Sequence, residues 1–291
     1  MNDLHQKEFD DFVAVQLDGK AKSNLAVYKS RYKVFTKRFP KQKIHDVADN
    51  LLIDAICEAT SNNEFPANTR AGLLMIVILL KRFYNIPHKE LQLFRIENDL
   101  QVTIQTQARK KSQQKEVGKY SIDDLKTHML DVYNKKDYTA YIINYLLINY
   151  GVRNQDLNVI LTADKSVMND SNNYLFVKNG SVVEYIRQHY KTHKHYGNKT
   201  FAIKDKRFMT AVKKLIANGT KYLLHKKNGE PIDDTSLFHR IQTYTLDGLG
   251  EADYFKIIIA EYDSNVEMLE HYEASRGTKI KTIVENYAVN K

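Results

Sequence analysis

The sequence predicts a mainly α-helical protein that contains one small β-sheet. The chain has only 4 prolines and 11 glycines among its 291 residues, and this scarcity of helix breakers favours long helices. Apolar residues recur at helical spacing through most of the chain. The only clear β pattern is the region 173–186 together with a short run that follows it, so we expect the sheet to be small.

The first 105 residues predict a bundle of four or five helices. Pro40, Pro66 and Pro87 lie between the helical stretches, where helices are expected to stop or restart. The stretches with helical apolar spacing are 9–15, 25–39, 47–56 and 70–84.

Residues 106–119 interrupt this pattern. They carry five basic residues and one acidic residue, and they show no apolar periodicity. We interpret the segment as a basic linker, in which Lys110 and Lys111 are candidates for contact with a polyanion such as a nucleic acid. A solvated loop without such contact is the alternative.

After the linker, the sequence predicts a helix that begins at Ser121 and ends near Asn134. Ser121 is a favourable N-cap, and Asp124 stands where its carboxylate can reach back to the helix start. A second helix over 138–150 is apolar on most of its surface, so we expect it to be buried. It stops at Gly151, and the pattern predicts a further helix over 154–161.

Two β-rich runs within 173–186 flank the pair Asn179-Gly180, which favours a tight hairpin turn. A third run, 200–203, follows a loop rich in histidine and lysine at 191–199. Helices are predicted again over 206–218, over 234–243 and from residue 250 onward. Breaks are expected near Ser264 and Gly277.

Composition limits the classes of function. The length suits one large domain or two of ordinary size. The net charge of +9 and the isoelectric point near 9.2 are compatible with a polyanionic partner. The single cysteine, Cys57, excludes a disulfide within the chain and a cysteine metal cluster.

We further expect an intracellular protein, in the cytoplasm or nucleus of a host, or carried in a virion. The start of the chain is polar and acidic, unlike a signal peptide. The longest apolar run, 71–80, is shorter than the roughly 20 residues of a membrane helix. The Lys-, Asn-, Tyr- and Ile-rich usage would suit an AT-rich mobile element or a virus.

Two short stretches indicate a family. Residues 150–157 read Tyr-Gly-Val-Arg-Asn-Gln-Asp-Leu, and residues 276–287 read Arg-Gly-Thr-Lys-Ile-Lys-Thr-Ile-Val-Glu-Asn-Tyr. With the Ser-Ile-Asp-Asp-Leu opening at 121–125, they resemble the tyrosine recombinase (phage integrase) family over nearly the whole chain. The resemblance implies a helical core-binding domain at 1–105, a basic linker at 106–119 and a catalytic domain at 120–291.

The resemblance also implies an activity. A recombinase of this kind cleaves and rejoins double-stranded DNA through a 3′-phosphotyrosyl intermediate, without a cofactor or a metal, as a homo-tetramer on two DNA sites. Arg153 would hold two oxygens of the scissile phosphate and stabilise the phosphorane. Tyr287, nine residues after Thr278, would be the nucleophile.

The family places a general-acid lysine near a hairpin turn. Lys191, in Tyr190-Lys191-Thr192, resembles it, while Lys194 and Lys199 in the same loop are rivals or contacts to DNA. Three nearby histidines could suggest a zinc site, but no acidic or cysteine ligand lies beside them. We interpret these as solvated or DNA-facing side chains: His189, His193 and His195.

The chain departs from the family pattern at two places. Thr278 stands where the family has its second histidine, and a hydroxyl could serve there in part. In the register of the His-x-x-Arg box, Asp253 replaces the histidine and Lys256 replaces the second arginine. Arg276 or Arg240 would be the alternative sources of the missing guanidinium.

Three other interpretations stay open at this point. The chain could be a recombinase-derived DNA-binding protein with lost or weakened catalysis. It could be a type IB topoisomerase-like enzyme, which shares the phosphotyrosine chemistry. It could also be a basic helical adaptor for RNA or protein, in which case the motifs would be coincidences.

Overall fold

The computed structural model of the chain describes residues 1–16, 22–63, 66–262 and 264–287. The chain divides into two compact units, Met1–Gln113 and Gln114–Lys291. Each unit has its own hydrophobic core.

The first unit is a helical bundle, as predicted. Its core is built around the fourth helix, which is buried along most of its length because its apolar residues occupy nearly every face. In the described part of the unit the helices are α1 (Asp3–Gln16), α2 (Lys22–Arg38), α3 (Asp49–Thr60), α4 (Pro66–Phe83) and α5 (Lys89–Val117), with one 3-10 turn at Ile44–Asp46.

A buried carboxylate ties the start of this bundle together. Glu8 accepts hydrogen bonds from the backbone amides of Ile44 and His45, both at 3.0 Å, and from the Tyr32 hydroxyl at 2.5 Å. Burial alone would raise the pKa of Glu8, but these hydrogen bonds outweigh it and hold the pKa below its ordinary value. The carboxylate therefore stays charged and links α1 to α2 and to the 3-10 turn.

The segment predicted as a linker is largely helical. Residues 106–117 form the last part of α5, and Lys110 and Lys111 are exposed on it. The segment lacks proline and is rich in Lys and Gln, which are good helix formers. Helix propensity alone can extend an existing helix without an apolar stripe. The spacing of apolar residues therefore did not predict that this segment is helical.

The second unit opens with two predicted helices, α6 (Ile122–Asn134) and α7 (Tyr138–Tyr150). At the start of α6, the Ser121 hydroxyl accepts from the Asp124 amide, and the Asp124 carboxylate accepts from the Ser121 amide. Gly151 ends α7 in the left-handed conformation at φ 55°. A side chain at Gly151 would also collide with the Phe255 ring, so glycine is required there.

The sheet has four strands in the order β1-β2-β3-β4: β1 (Val159–Thr162), β2 (Asn173–Lys178), β3 (Val182–Arg187) and β4 (Lys199–Ile203). β1 and β2 are parallel, and the other pairs are antiparallel. Asn179 and Gly180 form the predicted turn with φ of 50° and 68°. The run at 200–203 is confirmed as a strand.

The helix predicted over 154–161 is wrong. Asn154–Leu157 forms a single 3-10 turn, and the chain then enters β1. The sequence Val-Ile-Leu-Thr is rich in β-branched residues, and it pairs with β2 on one edge. On the other side, its backbone exchanges hydrogen bonds with residues 221 and 223. These long-range pairings decide the strand.

The remaining helices of the second unit surround this sheet and α7. All of them except the short α8 contribute apolar residues to one core with both. They are α8 (His193–Tyr196), α9 (Lys206–Ala217), α10 (Asp234–Gln242), α11 (Glu251–Tyr262), α12 (Val266–Arg276) and α13 (Ile280–Tyr287). The break predicted at Gly277 is confirmed, with φ 65°. None of the helices in the described residues combines the length and the apolar character needed to cross a membrane.

Candidate active site

The end of α12 gathers a set of cationic side chains. The last carbonyls of a helix have no partner within the helix, and they carry the negative end of its dipole. Here the four consecutive carbonyl oxygens of residues 274–277 accept hydrogen bonds, in that order, from Lys199, Arg187, Arg153 (2.9 Å) and Thr192 (3.0 Å). Donors that are far apart in sequence are thereby held around one helix end.

Arg153 is the N-cap residue of the 3-10 turn that follows α7. Its Nη2 donates to the Thr278 hydroxyl at 2.5 Å, and its backbone amide donates to the Asp156 carboxylate at 2.9 Å. Burial and the nearby Arg276 charge lower the pKa of Arg153. The structure thus brings together Arg153 and Thr278, two of the residues that the sequence singled out.

Arg276 lies at the predicted nucleophile. Its side chain is only 1% exposed, and its Nη2 lies 3.2 Å from the Tyr287 hydroxyl. Its Nη1 donates to the Gly151 carbonyl. The guanidinium carbon lies 4.2 Å from the centre of the Phe255 ring and 5.1 Å from that of Tyr287. These contacts fix a planar cation against the phenol.

Glu251, at the first position of α11, is the carboxylate that lies beside Arg276. Its Oε1 lies 3.3 Å from Arg276 Nη2. Burial raises the pKa of Glu251, although Arg276 and Arg153 oppose that effect. Sequence reasoning missed this residue. The available signal was its place just after Gly250, within the altered His-x-x-Arg region.

A second buried ion pair lies next to Arg153 and contacts its backbone. Arg187 and Asp156 are both fully buried, with 2.6 Å between Nη2 and Oδ2. The same Oδ2 accepts from the Arg153 amide, and the Asp156 carbonyl accepts from the Tyr185 hydroxyl at 2.8 Å. Sequence reasoning missed Arg187 as well. The signal was its alternation with Val183 and Tyr185, which places it on the core face of β3.

Lys199 is the lysine of this cluster. It begins β4, is half-buried, and donates to the Ala274 carbonyl. Burial lowers the pKa of Lys199, and the charges of Arg187 and Arg153 act in the same direction. Lys191 and Lys194, by contrast, are exposed in the connection between β3 and β4.

The other candidates for the altered box have local partners. The Asp253 carboxylate accepts from the Gly250 amide at 3.2 Å, at the start of α11. Lys256 Nζ lies 3.6 Å from Asp253. Arg240, exposed on α10, lies over the Tyr244 ring at 5.3 Å. The guanidinium at the phenol is therefore that of Arg276.

The histidines of the β3–β4 region have separate neighbours. His189 Nε2 lies 3.0 Å from Gln155 Nε2, and His193 Nε2 lies 2.7 Å from Asn198 Oδ1. His195 is exposed. Within the residues that the structure describes, no three His, Cys, Asp or Glu side chains are grouped as metal ligands.

The cluster carries an excess of positive charge. Four cationic side chains, Arg153, Arg187, Lys199 and Arg276, face two carboxylates, Asp156 and Glu251. Such a site favours an anion that spreads its charge over several oxygens, as a phosphodiester does. A phenol that could act as a nucleophile stands at its edge.

The fold, rather than the sequence, connects this chain with known proteins. No family model and no curated protein matches the sequence. Among solved structures, the chain is similar to a Tn1549 transposon integrase in complex with transposon right end DNA, with a TM-score of 0.52, 12% identity, and coverage of 98% of this chain and 95% of that one. It also matches XerA recombinase, with a TM-score of 0.38, 10% identity, and coverage of 98% and 94%. The likeness to the integrase shows that the chain has the fold expected for a tyrosine recombinase.

Proposed function

We propose that this protein is a site-specific DNA recombinase or integrase that cleaves and rejoins DNA through a phosphotyrosyl intermediate. The observation that carries the proposal is the contact between the Tyr287 hydroxyl and Arg276, 3.2 Å apart. Through this contact a phenol lies at the edge of a cationic cluster that also contains Arg153. The fold shared with a DNA-bound integrase supports the same conclusion.

Arg153 and Arg276 hold the scissile phosphate in this proposal. Guanidinium groups can donate hydrogen bonds to phosphate oxygens while they keep their contacts with neighbouring groups. Arg276 thus takes the role that the sequence register gave to Lys256. Thr278 accepts from Arg153, so its own hydroxyl hydrogen is available for a phosphate oxygen.

Tyr287 attacks the phosphorus, and the 5′-oxygen leaves with a proton. We assign the proton to Lys199 rather than to Lys191, because Lys199 lies within the cluster and burial lowers its pKa. An ammonium with a lowered pKa gives up its proton more readily. The phosphotyrosyl bond retains the energy of the phosphodiester, so rejoining needs no cofactor.

The partner is double-stranded DNA, and the working assembly is a homo-tetramer on two DNA sites. The net charge of +9 supports a polyanionic partner. We assign DNA-backbone contacts to Lys110 and Lys111 on α5 and to Lys194 in the β3–β4 connection, all three of which are exposed. Residues 1–105 then act as the core-binding domain.

Covalent capture tests the proposal. The protein is incubated with a library of nicked duplexes, which lose a short fragment after cleavage and so trap the intermediate, and is then denatured. We expect a protein–DNA adduct in the parent protein and none in Tyr287→Phe. Tyr262→Phe, a partly buried tyrosine of the same core, is the matched control and should form the adduct normally.

The alternatives give different results in the same assay. A DNA-binding protein without catalysis would bind in a salt-dependent manner and form no adduct on any duplex of the library. A type IB topoisomerase-like enzyme would form the adduct and relax supercoiled plasmid without a specific site.

A further inference from the structure

The carboxylate of Glu251 and the hydroxyl of Tyr287 share a single hydrogen-bond donor. Arg276 Nη2 lies 3.3 Å from Glu251 Oε1 and 3.2 Å from the Tyr287 oxygen. Because both distances start at one nitrogen, the two oxygens cannot be farther apart than the sum of the two. At that limit one bridging water closes the gap after a shift of about 1 Å, whereas a direct hydrogen bond needs a larger movement of the two side chains.

The second oxygen of Glu251 is available. Oε2 is buried and has no hydrogen-bond partner among the described residues. A buried carboxylate oxygen without a donor is costly for the charged form. Protonation of Glu251 would remove that cost, and the phenol of Tyr287 can supply the proton.

We propose that Glu251 is the general base that removes the proton of Tyr287 during attack. The inference rests on the proposed function of the site. The same residue, once protonated, returns the proton to Tyr287 when the DNA strand is rejoined.

Protons and bonds balance in this step. The phenol proton moves to the Glu251 carboxylate while the Tyr287 oxygen forms a bond to phosphorus. The bond between phosphorus and the 5′-oxygen breaks, and Lys199 protonates that oxygen. Rejoining runs the same transfers in reverse, so Glu251 and Lys199 return to their starting states.

Charge favours this assignment. The phosphorane that forms during attack carries one more negative charge than the phosphodiester. A Glu251 that accepts the proton becomes neutral at that moment, and the cluster becomes more positive as the transition state becomes more negative. The carboxylate therefore does not repel the phosphate when the repulsion would be greatest.

The groups around Glu251 shift its pKa in opposite directions. Burial raises its pKa, and the Asp156 charge acts in the same direction. Arg276 and Arg153 oppose the rise, because their charges favour the ionised form that can accept a proton. Tyr287, on α13, is the phenol that shares the Arg276 donor.

Two other carboxylates near the site form ion pairs with other residues. Asp253 accepts from the Gly250 amide and pairs with Lys256. Asp156 pairs with Arg187 in full burial. Glu251 is thus the carboxylate that contacts the guanidinium at the nucleophile.

Glu251→Gln is the first test. Glutamine keeps an oxygen for Arg276 but cannot take up a proton. We expect single-turnover cleavage of a saturating nicked duplex to slow by about 10²- to 10⁴-fold, with DNA affinity unchanged. Glu261→Gln, an exposed carboxylate on the same helix, should cleave at the parental rate.

A second variant separates proton transfer from simple neutralisation of Arg276. Difluorotyrosine in place of Tyr287 has a more acidic phenol, which depends less on a base. We expect it to restore most of the rate that Glu251→Gln loses. In the parent protein, the cleavage rate should also fall at low pH as Glu251 becomes protonated. The pH–rate profile of Glu251→Gln should lack this acidic limb.

The possible outcomes separate this inference from the proposed function. Parent protein that forms no Tyr287-dependent adduct overturns the proposed function and this inference together. If the parent forms the adduct, Glu251→Gln at the parental rate overturns the inference alone. A slow Glu251→Gln that difluorotyrosine leaves slow, or that keeps the acidic limb, also overturns it, since Glu251 would then only balance the charge of Arg276.

Discussion

The guanidinium of Arg276, the last residue of α12, lies 3.2 Å from the hydroxyl of Tyr287 on α13. Arg276 also stacks over Phe255, in the helix where the family pattern would place its second arginine. The chain thus supplies from α12 a guanidinium that the sequence register leads one to seek on α11.

Arg276 should matter far more than Lys256 for cleavage. Arg276→Lys retains the charge but loses the planar set of donors that reaches Tyr287, Glu251 and the Gly151 carbonyl, so we expect cleavage to slow by at least about 100-fold. Lys256→Ala should stay within a few-fold of the parent. Rates are measured by single-turnover cleavage of a nicked duplex, and a severe defect in Lys256→Ala with a normal Arg276→Lys would contradict the assignment.

Lys199 should act on the leaving group. Lys199→Met should slow cleavage of ordinary DNA by about 10²-fold or more. A substrate with sulfur in place of the 5′-oxygen should restore the rate, because a thiolate leaves without a proton. Lys191→Met is the matched control and should need no rescue. If Lys191→Met is the variant that the thio substrate rescues, the roles of the two lysines are reversed.

The Arg187–Asp156 pair should be a large contributor to the stability of the second unit. Arg187→Met leaves the Asp156 carboxylate buried without its ion pair, which costs about 3–5 kcal/mol. Replacing both residues, as Arg187→Met with Asp156→Leu, should recover much of that loss. Chemical denaturation measures both variants, and an Arg187→Met protein of parental stability would show that the pair is not needed.

Much of the fold could be predicted because the signals were local. The bounds of α7 follow from an apolar run closed by Gly151, and the β2–β3 hairpin follows from Asn179-Gly180. The error at 154–161 arose because β1 is stabilised by pairing with distant strands. The helix over 106–117 was not predicted because helix propensity, rather than periodicity, extends α5.

The candidate site was predictable only in part, for a similar reason. Arg153, Thr278 and Tyr287 stand in motifs with fixed spacing. Arg187 and Glu251 gain their roles from burial beside partners on other elements, and a local pattern contains no information about such contacts.

Acid should weaken the first unit through Glu8. The pKa of Glu8 is lower in the folded protein than its ordinary value of 4.5, so its stabilising effect is present above that value. The effect is lost as the pH falls through 4.5 and then through the folded pKa. Glu8→Gln should cost about 1–3 kcal/mol at neutral pH and flatten this dependence.

Hydrogen exchange of the α1 and α2 amides, followed from pH 7 to pH 3, measures that effect. Glu116→Gln, which removes an exposed carboxylate, is the control and should keep the parental pH dependence. An equal loss of protection with acid in the parent and in Glu8→Gln would remove Glu8 from the explanation.

The most direct test of phosphotyrosyl catalysis by this protein is the chemical identity of the residue that becomes linked to DNA. The adduct trapped on a nicked duplex is digested with nuclease and trypsin, and the modified peptide is sequenced by mass spectrometry. We predict a nucleotide remnant on Tyr287, within the tryptic peptide 282–291. A remnant on another residue, or tight DNA binding with no modified peptide from any duplex tested, would contradict the assignment of Tyr287 as the nucleophile.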